Sequence, residues 1–300
     1  PEGKLQNTLD RLMELVVFHP DYAPAYLDLG ALFKQAGDTR NALAAYEKAC
    51  ALEPLNASCL RCLADFYFVE LKRNEDAEAL YEKIVSLSPE DEEALLMLGN
   101  LSTIQRRFEK ALQAFLKVLV RNPAHEFAGK MFDDLAAKIK EKSIVSSPDL
   151  LLEDARVFAQ RGRSDQAIYT LEKLLSVFPD HAIAHNDLGF LHYRKGEVEK
   201  ALAHYEKAIS IDRKNPTVLK NLADFYLIEL KQTEEALKLY TLVLQEHPRD
   251  TEALKAIGSI CIQLERYEDA LEIFLKIQEM DPSDAEAAGI LKSLLSIDDA

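Results

Sequence analysis

Tyr26-Leu27-Asp28-Leu29-Gly30-Ala31-Leu32-Phe33 is followed, across Gly37-Asp38, by Ala42, Tyr46 and Ala49 and then by Pro54. Tyr26, Leu29, Gly30 and Phe33 stand at offsets of zero, three, four and seven, which places them on one stripe of a helix. Ala42, Tyr46 and Ala49 mark the answering face of a second helix. Small residues at Gly30 and Ala42 let two helices approach closely, and Tyr46 fills the space beside them. Gly37 supplies the turn and Asp38 can cap the second helix. Pro54 has no donor N–H and restricts the residue before it, so the second helix stops there. The stretch therefore reads as an antiparallel helix pair.

The pair repeats. Prolines 20, 54, 89 and 123 are spaced by 34, 35 and 34 residues, and Pro179, Pro248 and Pro282 continue the series, with Arg213 where one more is expected. The same register returns as Leu95, Leu98, Gly99, Ala111, Phe115 and Val118, as Leu151, Ala155, Phe158, Ala167, Leu171 and Leu174, as His185, Leu188, Gly189, His192, Ala201, Tyr205 and Ala208, and as Leu254, Ile257, Gly258, Cys261, Ala270, Phe274 and Ile277. Units starting at Ala57 and Pro216 carry one extra residue before Ala77 and Ala236, which predicts a longer turn inside those pairs. This signature resembles that of the tetratricopeptide repeat, with Tyr26 in place of its Trp and Phe33 in place of its Tyr. The resemblance implies an all-α, right-handed superhelical solenoid of about seven full helix pairs, with a lone N-terminal helix and capping helices.

A longer register lies above the short one, because residue i resembles residue i+159 over most of the first half. Leu63-Ala64-Asp65-Phe66-Tyr67 returns as Leu222-Ala223-Asp224-Phe225-Tyr226, and Tyr46-Glu47-Lys48-Ala49 as Tyr205-Glu206-Lys207-Ala208. An internal duplication is the expected cause. It divides the chain into a first array, 1–147, and a second, 148–300, separated near Ser143 to Pro148. Glu126 to Lys142 is expected to close the first array as a lone helix, and Ala285 to about Ile297 the second. Leu5 to Phe18 aligns with the second helix of a pair and has no first helix before it, so Leu9, Leu12, Leu15 and Val16 are expected to lack a partner. An uncovered face of that kind points to further chain upstream or to a homo-oligomer through this end.

Composition bounds the rest. Apolar residues make up 48% and charged residues 29%, which excludes disorder. A net charge of −15 without a basic stripe argues against nucleic acid, and no apolar run is long enough to insert in a membrane. Four cysteines are too few and too irregular for a disulfide framework, which favours a reducing compartment and a cytoplasmic location. Cys59 and Cys62 form a C-x-x-C within a helical pattern and are expected to be small apolar packing residues. Metal binding is not expected of the histidines: His185 and His192 take the places of Tyr26 and Phe33, should pack as flat rings, and stand two turns apart, about 10 Å by helix rise. No phosphate loop, nucleophile elbow or zinc-protease motif is present, so neither catalysis nor a cofactor is expected.

By resemblance, the first helix of each pair lines a concave surface that holds a protein or peptide. Its candidate residues are Lys34, Arg61, Asp65, Phe68 and Asn100 in the first array and Asn186, Phe190, Tyr193, Lys220, Asn221, Asp224, Lys255 and Ser259 in the second. Arg61 with Asp65 and Lys220 with Asp224 could equally be i,i+4 surface pairs. The Lys/Asn clamp with which some members hold a C-terminal carboxylate is missing, because Glu252 and Ala256 follow Asn221 where cations are required. The expected role is a non-catalytic scaffold for a neutral, apolar or basic segment. Self-assembly, or service as the recruiting arm of a larger enzyme or secretion complex, is the alternative.

Overall fold

A computed structural model describes residues 2–142 and 148–298, and these residues form seventeen helices and no strand. The expected break at Ser143 to Ser147 lies outside the described residues. Two compact units result, 1–151 and 152–300. The first helices of the pairs are α2 (Ala23–Gln35), α4 (Ala57–Val69), α6 (Glu92–Ile104), α9 (Asp149–Gln160), α11 (Ala182–Arg194), α13 (Pro216–Ile228) and α15 (Thr251–Gln263). Their partners are α3 (Thr39–Leu52), α5 (Asn74–Leu87), α7 (Phe108–Arg121), α10 (Ser164–Val177), α12 (Val198–Ile211), α14 (Thr233–Glu246) and α16 (Tyr267–Met280). Outside the pairs stand α1 (Glu2–Phe18), α8 (Glu126–Lys142) and α17 (Ala285–Asp298).

Six of the seven pairs close around a small residue and a ring; α9–α10 has Ala155 and Leu171 in those places. A Cβ added at Gly30 would come within 2.6 Å of the Tyr46 ring, at Gly99 within 2.6 Å of Phe115, at Gly189 within 2.8 Å of Tyr205 and at Gly258 within 2.7 Å of Phe274. No real side chain occupies such distances, so the ring packs directly against the bare backbone of the first helix. In the two units with the extra residue the small side is alanine: Ala64 shares a core cluster with Tyr81, and Ala223 with Tyr240.

Every turn between the two helices of a pair contains one residue with positive φ. Gly37, Gly162 and Gly196 provide it at 78°, 73° and 76°, whereas Lys72, Arg106, Lys231 and Glu265 adopt 55–60° without the freedom of glycine. The turns after α4 and α13 run from 70 to 73 and from 229 to 232, one residue longer than the turn 36–38 after α2, as the spacing predicts. Asp38 caps α3 by accepting from the Asn41 N–H at 3.1 Å.

Second helices end two residues before Pro54, Pro89, Pro123, Pro179, Pro248 and Pro282. α12 ends equally far before Arg213. There the Asp212 carboxylate accepts from the Lys214 N–H at 3.3 Å and the Asn215 side chain at 3.3 Å, a side-chain turn that also forms at Asp281 beside Pro282.

One expectation needs correction. Leu9 of α1 is buried and packs with Leu29 of α2 and Ala45 of α3, and Leu5, Leu12 and Val16 join the same cluster. Leu9, Leu12 and Val16 thus have a partner, because α2 receives α1 as it would receive the second helix of a preceding pair, while Leu15 is half-buried outside this cluster. The apolar residues that α1 leaves exposed are Met13, Val17 and Phe18. At the other end α17 buries Ala287, Leu291 and Leu294 against α16 and turns Glu286, Lys292 and Ser293 outward, although Leu295 is exposed too.

Gly189→Val is expected to lower stability by about 1–3 kcal/mol through overpacking against Tyr205. Gly289→Ala, in α17 where an added Cβ meets nothing within 4 Å, is expected to raise it by up to about 1 kcal/mol. Opposite displacements of the urea unfolding midpoint check the pair.

Candidate functional site

The fifth residue of a first helix reaches the start of the next one. Arg61 of α4 meets Asp91 at 2.7 Å and also bonds Glu93 of α6. Lys220 of α13 meets Asp250 at 2.9 Å and Glu252 at 2.5 Å, and Lys255 of α15 meets Asp284 at 2.8 Å and Glu286 at 2.7 Å. Each aspartate also caps its own helix, accepting from the Ala94, Ala253 and Ala287 N–H groups at 2.9, 2.9 and 3.0 Å. Burial opposes the charge of Asp250, yet the Ala253 N–H and Lys220 hold its carboxyl below the usual range.

Arg61 and Lys220 thus bridge successive pairs, and the i,i+4 pairs with Asp65 and Asp224 do not form. Those two aspartates instead accept the hydroxyls of Tyr81 and Tyr240, which stand one helix away. Burial, reinforced by the bond to Asp65, drives the Tyr81 hydroxyl far above its ordinary value, so it remains a donor.

The remaining candidates are dispersed. Lys34 is exposed and stands 3.6 Å from Glu70, Phe68 packs half-buried against the core of the first unit, Asn100 is half-buried on α6 and Ser259 exposed on α15. Tyr193 sets its ring edge-on to Phe225 at 5.6 Å and donates to Glu229.

Asn186, Phe190 and Asn221 do come together. They line a concavity of about 360 Å³ on α9, α11 and α13, within the second unit, together with Ala155, Ala159 and Leu191 on the apolar side and Arg156, Gln160, Asp187 and Thr217 on the polar side. Phe190 is 45% exposed in it. Arg156 and Asp187 neutralise each other at 3.1 Å. The Asn221 side chain donates to Asn186 at 2.9 Å, and Asn186 donates to Asp187 at 3.2 Å. An amide has two N–H groups and an oxygen, so Asn221 keeps capacity for a main-chain group. Arg156 was within reach of the sequence: it precedes Phe190 by 34 residues, and extending the groove register back to α9 finds it.

Elsewhere, burial pushes the Cys50 thiol up to about 12 and raises Cys59 and Cys62 as well, which makes them poor nucleophiles at neutral pH. No group of three or more metal-ligating side chains occurs among the described residues. No described helix is long and apolar enough to cross a membrane.

Helix pairs of this period and packing define a tetratricopeptide array, and comparison with known proteins places the chain accordingly. Family models described as tetratricopeptide repeat match residues 27–92, 67–126 and 152–216, and residues 227–294. The chain belongs to the tetratricopeptide repeat family, whose repeats serve as scaffolds for protein–protein interaction. It is 26% identical over 206 residues to the human Protein O-mannosyl-transferase TMTC1, covering 69% of this chain and 21% of that protein. It is 20% identical over 250 residues to Anaphase-promoting complex subunit 3 of Schizosaccharomyces pombe, covering 76% and 37%. The chain therefore spans well under half the length of these relatives. Among solved structures, PilW, a widely conserved type IV pilus biogenesis factor, is similar at 18% identity with a TM-score of 0.46, covering 78% of this chain and 98% of that one.

Lys220→Ala is expected to cost about 1 kcal/mol, because it leaves the half-buried Asp250 without its cation. Lys238→Ala, which removes an exposed bridge to Glu235, is expected to stay within about 0.5 kcal/mol. Chemical denaturation of the two variants checks the difference.

Proposed function

We propose that the chain is a binding scaffold whose second unit holds an extended segment of a partner protein along α9, α11 and α13. The observation that carries this reading is the exposed Phe190 ring in a concavity with apolar and hydrogen-bonding walls. An exposed aromatic surrounded by side chains that can exclude water is the usual form of a binding hot spot. The ligand's apolar or aromatic side chain packs on Phe190, Ala155 and Ala159, and its main chain bonds the Asn221 amide. The Arg156–Asp187 pair leaves the groove without local excess charge, while the net −15 of the chain favours a neutral or basic segment.

Within this reading the segment itself performs no chemistry. Raised thiols and carboxylates engaged in bridges support a binding role. The limited share of its relatives that the chain spans is compatible with a recruiting arm in a larger protein.

Peptides selected from a display library on the chain are expected to carry an apolar or aromatic residue with neutral or basic neighbours. Phe190→Ala is expected to weaken their binding about tenfold or more, close to 1.4 kcal/mol, with helicity intact, whereas Lys238→Ala leaves it unchanged. Equal affinity for the wild type and the Phe190 variant, read by calorimetry, places the ligand on another surface.

Self-association is a second reading, favoured by Val17 and Phe18 of α1, which are 75% and 71% exposed. It expects the sedimentation coefficient to rise with concentration and the rise to vanish in Val17→Lys/Phe18→Lys. A flat profile for the wild type removes it.

A further inference from the structure

Tyr26, Phe33 and Ala45 contribute two aromatic rings and a methyl group to the cluster that α1, α2 and α3 form. The residues 159 positions later are His185, His192 and His204. Three imidazoles, which can exchange a proton near neutral pH, thus stand where the first pair has a phenol, a phenyl ring and a methyl group.

The rings form a chain. His185 Nε2 lies 3.1 Å from the Pro179 carbonyl, which can only accept, so Nε2 carries the proton. In neutral His185 the Nδ1 atom is then an acceptor, and His204 Nδ1, 3.1 Å away, must donate to it. His204 in turn stacks on His192, with centroids 5.3 Å apart and planes inclined by 2°. His192, only 5% exposed, directs Nδ1 at Glu197 across 2.8 Å.

We propose that the His185–His204–His192 cluster is a proton-operated lock between α11 and α12: closed while His185 and His204 are neutral, loosened when the medium turns mildly acidic. Protonating His185 turns its Nδ1 into a second donor facing the His204 donor and abolishes the bond between the helices. Protonating His204 places a charge in the stack.

The surrounding charges do not remove the sensitivity. Glu197, which faces His192, is shared with Lys200 at 2.9 Å and Lys195 at 3.8 Å, and Lys195 is held by Asp165 of α10 at 2.8 Å. Around His185, Lys207 of α12 and His181 oppose a proton while Asp180 favours one. On the side of α12 that meets α13, Tyr205 and Tyr226 are both raised and neutral, and the charges that reach them are the carboxylates of Asp187 and Asp224 for Tyr205 and of Glu206 and Glu235 for Tyr226. Burial, with His185 and His192 adding to it, lowers His204 to about 4, and burial lowers His185 too.

The sign follows from these directions. An unfolded chain takes up protons on its histidines as pH falls through about 6.5, before His204 and His185 do in the folded one. Stability is therefore complete above that pH and declines towards about 4. For His204 and His185 the folded-to-unfolded ratio falls by up to about tenfold per pH unit in that window. Since α11 also carries Phe190, a loosened α11 releases ligand if the proposed groove is correct; the effect on stability does not depend on that reading.

The first unit supplies the replacement set for the test: His185→Tyr/His192→Phe/His204→Ala in the full chain. Thermal melts from about pH 7.5 to about 4.5 are expected to show a steep loss in the wild type and a shallower one in the triple variant. NMR titration of the histidine ring carbons in the wild type is expected to place His204 well below the ordinary range. Matching melt profiles of wild type and variant, or ordinary titration of His204, overturns the proposal. Should the triple variant fail to fold at neutral pH, the wild-type titration decides alone.

Discussion

The contact of a ring with bare backbone governs this protein. Tyr46 on Gly30, Phe115 on Gly99, Tyr205 on Gly189 and Phe274 on Gly258 fix how near the two helices of a pair can come. Dispersion between a flat ring and a helix surface depends steeply on distance, so each pair has one good separation. Once it is set, Ala42, Ala111, Ala201 and Ala270 on the second helices are fully buried as well. The first helix is then gripped on one side, and its opposite side is left for polar residues.

That opposite side has a structural duty of its own. Where the fifth residue is Arg61, Lys220 or Lys255, it joins the cap of the following helix; Arg61 and Lys220 tie successive pairs, and Lys255 ties the last pair to α17. On α11 the fifth residue is Asn186, and an amide-to-amide bond with Asn221 takes over. A long cation would lie across the groove floor; an asparagine does not. The concavity with Phe190 occurs where the cationic tie is missing, and there Asn186 both joins Asn221 of the next pair and lines the concavity.

Much of the fold was legible in the sequence because it follows from local rules with a fixed period. Glycine, ring and proline recur often enough that even the longer turns after α4 and α13 were readable from one inserted residue. Less legible were long-range choices among equivalent partners. Asp65 could pair with Arg61 on its own helix, and nothing local indicates that Tyr81 claims it instead. Likewise His204 follows no motif; only packing brings it between His185 and His192. The packing of α1 was misjudged because a helix without a preceding partner still has α2 and α3 after it.

Positions 159 apart give a way to separate scaffold from specialisation. Ala64 and Ala223, Asp65 and Asp224, Tyr81 and Tyr240 perform the same contacts, down to the tyrosine hydroxyl on the aspartate. Arg61 and Lys220 differ in chemistry but reach the same kind of cap. On α11 this correspondence lapses: Leu27 becomes Asn186, Ala31 becomes Phe190, Tyr26 becomes His185 and Phe33 becomes His192. None of these changes improves apolar packing within the pair. Two of them furnish the groove and two the histidine cluster, on opposite sides of a single helix. A helix held by the ring of Tyr205 tolerates such divergence because Gly189 anchors it independently of either side.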